Sequence, residues 1–170
     1  MKFLKYLGIF IVFIAASYFG LVFMAPSKLN FQVNEDFNAP IETVFSFMTD
    51  PSILPQWVEG IDSFYAENLI IPKEGDQYKL YFQGENSMVM NKTVLLYEAN
   101  KLYSTHGSIK DFFDWNEKIT FVALDSNRTR VSNIVTLKSL SQKTRLLTYA
   151  EETHKKNVAG NYLKLKKLIE

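Results

Sequence analysis

The sequence predicts an α+β protein in which a strongly curved sheet of seven antiparallel strands grips one long C-terminal helix, with a single transmembrane helix ahead of the whole. Three observations predict it. Twenty residues from Tyr6 to Ala25, YLGIFIVFIAASYFGLVFMA, pass without a charge. From Gly60 to Ser139 the chain reads as runs of strand-forming residues punctuated by turn residues. The last thirty residues then change period, and Leu147, Ala150, His154, Val158, Tyr162, Leu165 and Ile169 recur every three or four positions. A sheet with one wet face needs a cover for the other, and that helix is the only element long enough to supply it.

As a helix rising about 1.5 Å per residue, the uncharged run spans roughly 30 Å, the hydrocarbon thickness of a bilayer. A buried core helix rarely lacks charge on every face. A cleavable signal peptide is the stronger alternative, with Lys2 and Lys5 ahead of the run. However, FMAPS puts bulky Phe23 and Pro26 where a cleavage site needs small residues. The expectation is an uncleaved, single-pass membrane anchor over residues 6–25. Lys2 and Lys5 precede it and only Lys28 follows closely, so the positive-inside rule puts the folded part on the extracytoplasmic side. Pro26 to Asn30 reads as a polar hinge, which makes residues 1–30 the anchor and hinge and 31–170 one folded domain.

Within that domain FQVNEDFN, from Phe31, alternates as a strand. Pro40 suits the first position of a helix, where its missing N–H is no loss, and Ile41, Val44, Phe45 and Met48 give that helix one buried stripe. Asp50-Pro51 closes it and caps a second short helix that turns Ile53, Leu54 and Trp57 inward, ending at Gly60. IDSFYAENLII, DQYKLYFQ, SMVMNKTVLLYEA, KLYSTHG, FFDWNEKITFVAL and TRVSNIVTLKS follow as strands, separated by turns such as Lys73-Glu74-Gly75, Gly84-Glu85-Asn86 and DSNR.

Composition excludes several functions. Three of the 19 basic residues precede residue 31, so the remainder holds 16 basic against 18 acidic residues, a net of −2 and no footprint for nucleic acid. The absence of cysteine removes disulfides, thiolate metal sites and cysteine nucleophiles. With two histidines, no HExxH and no phosphate-cradling glycine loop, neither a metal nor another cofactor is called for. An aromatic content of 15%, with 14 Phe and 9 Tyr, points instead to a ring-lined interior.

A strand, then AP-x-E-x-V-F-x-F-x-x-D-P-x-x-x-P-x-W from Ala39 to Trp57, then the sheet, then NYLKLKKLIE from Asn161 to Glu170, resembles the START-like, or SRPBCC, superfamily, most closely its polyketide cyclase/dehydrase-type branch. The resemblance covers residues 31–170. It implies a helix-grip (Bet v 1/START-like) fold, in which two short helices close one end of the curved sheet and a cavity for an apolar ligand lies between long helix and sheet.

The residues themselves suggest the lining. Tyr78, Leu80 and Phe82 share one face of their strand, and Val131, Asn133, Val135 and Leu137 share the apolar face of theirs. The strand from Phe112 to Leu124 is ambiguous: its odd positions, Phe113, Trp115, Ile119 and Phe121, carry more rings, whereas Val122 and Leu124 better match the family's inward positions, and a bulge would reconcile the two. On the last helix His154, Val158 and Tyr162 form the buried stripe, and His106 shares parity with Leu102 and Ser104. The expected ligand contacts are therefore Leu80, Phe82, His106, Trp115, Asn133, His154, Val158 and Tyr162. Two readings stay open: a membrane-anchored module that holds a hydrophobic small molecule or lipid without chemistry, and a cyclase/dehydrase-like enzyme using His154 or His106 as acid or base and a pocket Tyr as donor, with Asp111 or Asp114 able to orient the histidine. A closed interaction domain without a ligand is a third.

Overall fold

The structure, a computed structural model, describes residues 2–67, 72–84 and 88–170. Helix α1 (Lys2–Met24) comes first, and its Tyr6–Met24 segment is apolar enough to cross a membrane, with a mean hydropathy of 2.4. Strand β1 (Lys28–Phe37) leads into α2 (Ile41–Thr49) and α3 (Leu54–Trp57). Six strands follow: β2 (Ile61–Tyr65), β3 (Gln77–Phe82), β4 (Val89–Glu98), β5 (Leu102–Ile109), β6 (Phe113–Asp125) and β7 (Arg128–Ser139). A 3-10 helix (Gln142–Tyr149) and α4 (Glu151–Ile169) complete the chain. The expected strand residues 68–71 and Ser87, and the turn residues Glu85 and Asn86, lie outside the described residues.

All neighbouring strands pair antiparallel in the order β1-β7-β6-β5-β4-β3-β2. β1 and β2 are thus the two edges, and α2 and α3 are the connection that carries the chain from one edge to the other. That is why two short helices separate the first strand from the rest. Proline fits this connection: the Pro40 carbonyl accepts the first helical bond, from Val44 N at 3.1 Å, and needs no donor of its own. Thr129, fully buried at the start of β7, donates its hydroxyl to the Ala39 carbonyl at 2.8 Å and pins the corner where β1 turns into α2.

Period-two alternation decides which side chains enter the core. Phe31, Val33 and Phe37 of β1, Tyr78 and Leu80 of β3, and Val131, Val135 and Leu137 of β7 are all buried on the face that α4 covers. On β6 the odd positions Ile119 and Phe121 are buried, whereas Val122 is 55% exposed and Leu124 38%. The parity question is answered against Val122 and Leu124. A bulge does occur, but between Ala123 and Asp125, beyond the apolar part of the strand, so it re-aims nothing in the core.

Two further expectations are corrected. β1 begins at Lys28, with Lys28, Leu29 and Asn30 opposite Lys138, Leu137 and Thr136, so the hinge is shorter than Pro26–Asn30. The final helix does not run unbroken from Leu147. Thr144 Oγ1 donates to the Phe112 and Ser141 carbonyls and Thr148 Oγ1 to the Pro26 and Arg145 carbonyls. Such side-chain bonds compete with the α-helical ladder. The segment winds as a 3-10 helix, breaks at Ala150, and α4 starts afresh with Glu151 and Glu152 in its first turn, where the helix dipole favours acids.

From there α4 is clamped on one side at the β1 edge and on the other at the turn between α3 and β2. Lys166 pairs with Glu35 of β1, and the Glu170 carboxylate accepts from Asn38 N at 2.8 Å. On the other side Asn161 Oδ1 accepts from Glu59 N at 3.0 Å, and Lys164 reaches the Glu59 carboxylate at 3.1 Å. Fully buried Leu165, worth about 1.5–3 kcal/mol in lost apolar exposure, sits between these clamps. At the other end of the domain α1 meets the 3-10 helix, with Val22 and Ala25 buried.

Candidate functional site

The sheet curves more than α4 can fill, and a cavity of about 330 Å³ remains between α4, α3 and the inner strands. Its walls are largely apolar: Leu54 and Trp57 from α3, Leu80 and Phe82 from β3, Met90 from β4, and Val158 from α4. Tyr103 from β5 and Trp115 and Ile119 from β6 extend the lining.

Four polar side chains from four elements meet in this apolar setting. Lys92 Nζ of β4 donates to Glu117 Oε2 of β6 at 2.7 Å, with side-chain exposures of 9% and 18%. Asn133 of β7 donates from Nδ2 to Glu117 Oε1 at 3.2 Å and to the Tyr162 hydroxyl of α4 at 2.9 Å. Burial pushes the Glu117 carboxyl upward, but the Lys92 charge and hydrogen bond, together with those from Asn133 and Trp115, outweigh it and hold the group below the usual carboxylate range. It is ionised, and the pair is neutral as a whole. Burial drives the Tyr162 phenol the other way, well above its ordinary value, so it stays protonated and can donate. Nearby, the Tyr78 and Tyr103 hydroxyls share a hydrogen bond of 3.3 Å, and burial keeps both protonated.

Most of the residues expected from the sequence reach this cavity. Leu80, Phe82 and Trp115 line it from the sheet, Asn133 from its floor, and His154, Val158 and Tyr162 from the helix. His106 does not. It lies opposite Asn116 in the β5–β6 register, its Nδ1 is 2.7 Å from Asn116 Oδ1, and the cavity-lining residue of the same strand is Tyr103, of opposite parity. Parity with Leu102 and Ser104 therefore carried His106 to the other face.

His154 is held in a structural arrangement. Its Nε2–H donates to the Leu147 carbonyl at 3.1 Å, tying α4 back to the 3-10 helix across the break at Ala150. Its ring stacks on Phe31, with centroids 6.2 Å apart and planes 9° apart, and meets the edge of Trp115. Neither Asp111 nor Asp114 orients a histidine. Asp111 occupies the tight β5–β6 turn at φ 60°, a left-handed position that Asp tolerates, and Asp114 pairs in register with Lys138 and Ser108.

Sequence reasoning missed Lys92 and Glu117, the two charges inside. A signal was present. Lys92 shares the parity of Met90 and Val94, and Glu117 that of Trp115 and Ile119, so each strand places a charge of opposite sign on its apolar side.

The architecture and cavity define the class: this is a START-like, Bet v 1-like fold, a seven-stranded curved antiparallel sheet with a C-terminal helix across it and an apolar helix at the N-terminus. No protein-family model and no curated protein matches the chain. Solved structures do. A START superfamily protein from Mycobacterium smegmatis aligns with a TM-score of 0.64 at 18% identity, over 82% of this chain and 96% of that one. A protein from Chromobacterium violaceum aligns with a TM-score of 0.64 at 16% identity, over 84% and 98%. The di-domain ARO/CYC StfQ from the steffimycin biosynthetic pathway aligns with a TM-score of 0.64 at 8% identity, over 82% of this chain and 50% of that two-domain chain. At these identities the likeness is one of fold.

Proposed function

We propose that the chain is a membrane-anchored binding module that holds a hydrophobic small molecule or lipid in its internal cavity and performs no chemistry on it. The observation that carries this reading is the cavity of about 330 Å³, walled by apolar and aromatic side chains from α3, α4 and five strands, β2 to β6. Pockets for small molecules typically begin near 300 Å³ and have this composition, with a few convergent polar groups. The groups best suited to acid-base work are engaged structurally. Both Glu117 oxygens accept from Lys92 and Asn133, which makes the carboxylate a poor base, and the His154 Nε2 proton is committed to a backbone carbonyl. A single-pass anchor through Tyr6–Met24 would keep the cavity beside a reservoir of apolar molecules, with the domain on the extracytoplasmic side. Native mass spectrometry of the full chain released from membranes tests the proposal: a reproducible noncovalent adduct of a single lipid or small-molecule mass supports it, and a protein that is consistently bare and folded counts against it.

A further inference from the structure

The proposed binding function leaves the ligand's chemistry open, and the polar end of the cavity narrows it. Trp57 and Asn133 line the cavity, and among the described residues Trp57 Nε1, Asn133 Oδ1 and, away from the cavity, Thr105 Oγ1 are buried side-chain atoms without a hydrogen-bond partner. Trp57 is 6% exposed and Asn133 1%. They flank the same tyrosine: the Trp57 and Tyr162 ring centroids are 6.3 Å apart, and Asn133 Nδ2 donates to the Tyr162 hydroxyl, which retains its own proton to donate. A buried polar atom left unpaired is costly, so two of them beside one cavity mark a place where a ligand group completes the bonding.

The inventory states what that group must offer. Trp57 N–H and Tyr162 O–H require an acceptor, and Asn133 C=O requires a donor. A hydroxyl supplies both from one atom. Charge argues the same way. Lys92 and Glu117 already neutralise each other, so an anionic head would bring an uncompensated charge into a low-dielectric site, which costs far more than a neutral one. Resting on the binding reading above, we propose that the inner end of the cavity is a head-group subsite for a neutral hydroxyl, and that the ligand is an apolar alcohol whose oxygen meets Trp57, Tyr162 and Asn133 while its hydrocarbon fills the Leu80, Met90 and Val158 region.

The chain contains two tryptophans, Trp57 and Trp115, so its indole N–H spectrum has two signals. Trp57→Phe assigns them in the full-length protein in nanodiscs. Octanol, octane and octanoate are then titrated separately at neutral pH. Octanol is expected to bind about tenfold more tightly than octane, the worth of one or two completed hydrogen bonds, and to move the Trp57 N–H downfield as it gains an acceptor. Octanoate should bind no better than octane. In Trp57→Phe, which keeps an aromatic ring in the wall but removes the N–H, the ratio of octanol to octane affinity should fall toward one, whatever the change in octane affinity itself. If all three probes bind equally and the Trp57 signal stays put, the hydroxyl subsite is wrong and the apolar cavity stands. Preference for octanoate overturns the neutral-head assignment. No saturable binding of any probe overturns both the subsite and the binding reading.

Discussion

Glu117 is the residue on which the interior electrostatics turn. Replacing it with Gln leaves the Lys92 ammonium buried without its counter-charge, and should destabilise the domain by about 3–5 kcal/mol at neutral pH, measured by denaturant melts. Lys92→Met combined with Glu117→Leu should recover most of that loss, because the desolvation cost of both ions disappears together. The pair also sets an acid limit. Folded, the Glu117 carboxyl binds its proton less tightly than its ordinary value of 4.5, so on acidification the unfolded state takes up more protons. Its contribution is therefore complete above that pH and is lost as the pH falls through the lower folded value. Glu117→Gln should flatten that part of the stability profile, and an unchanged acid limb would remove Glu117 as its cause. His154→Phe preserves the stack on Phe31 but loses the bond to the Leu147 carbonyl, and should cost about 0.5–1.5 kcal/mol with apolar binding largely retained. At this scale the candidate site was half legible. Apolar parity found Leu80, Phe82 and Asn133 on their strands. The same alternation contained Lys92 and Glu117, but charge alone suggests solvent, and only the register of β4 and β6 through β5 brings the two together. His106 failed for the opposite reason, since Leu102 on one face of β5 is matched by Tyr103 on the other, and the small Ser104, Thr105, Gly107 and Ser108 give parity little to choose between.

Among the elements, α4 carries the cavity's roof, and its weakest position is Gly160. A Cβ there meets nothing within 4 Å, so Gly160→Ala should stabilise the domain by about 0.5–1 kcal/mol through helix propensity alone. A thermal melt checks the sign, and destabilisation would mean that the helix needs local freedom there. The strands and the amphipathic helices were readable because burial imposes their periods of two and 3.6 on the sequence. The 3-10 segment was not, because Leu147 keeps the apolar spacing while Thr144 and Thr148 divert their hydroxyls to carbonyls of β5–β6 and the α1–β1 link. Those partners are 32 and 122 residues away, beyond any local pattern. The start of β1 was hidden likewise: Lys28 and Asn30 look like linker residues until β7 supplies the opposite edge.

For the whole molecule, the apolar helix α1 ends at Met24 and β1 begins at Lys28, so residues 25–27 join the helix to the sheet. Residues 28–170 alone should give a soluble, cooperatively unfolding domain, whereas starting at Phe31 removes buried Leu29 and three ladder pairs and should cost about 2–5 kcal/mol, as buried Leu deletions do. Equal stability of the two would show that the Lys28–Asn30 pairing carries no weight. The proposed function requires that something apolar enter the space between sheet and helix, and uptake of a neutral fluorescent probe such as N-phenylnaphthylamine by the 28–170 domain measures this most directly. Val158 lines the cavity and is 8% exposed, so Val158→Phe fills space that a ligand needs. The account predicts saturable, blue-shifted emission with the wild-type domain and at least a tenfold loss of affinity in the filled variant. Folded wild-type protein that takes up no probe, or a filled variant that takes it up equally well, would contradict it.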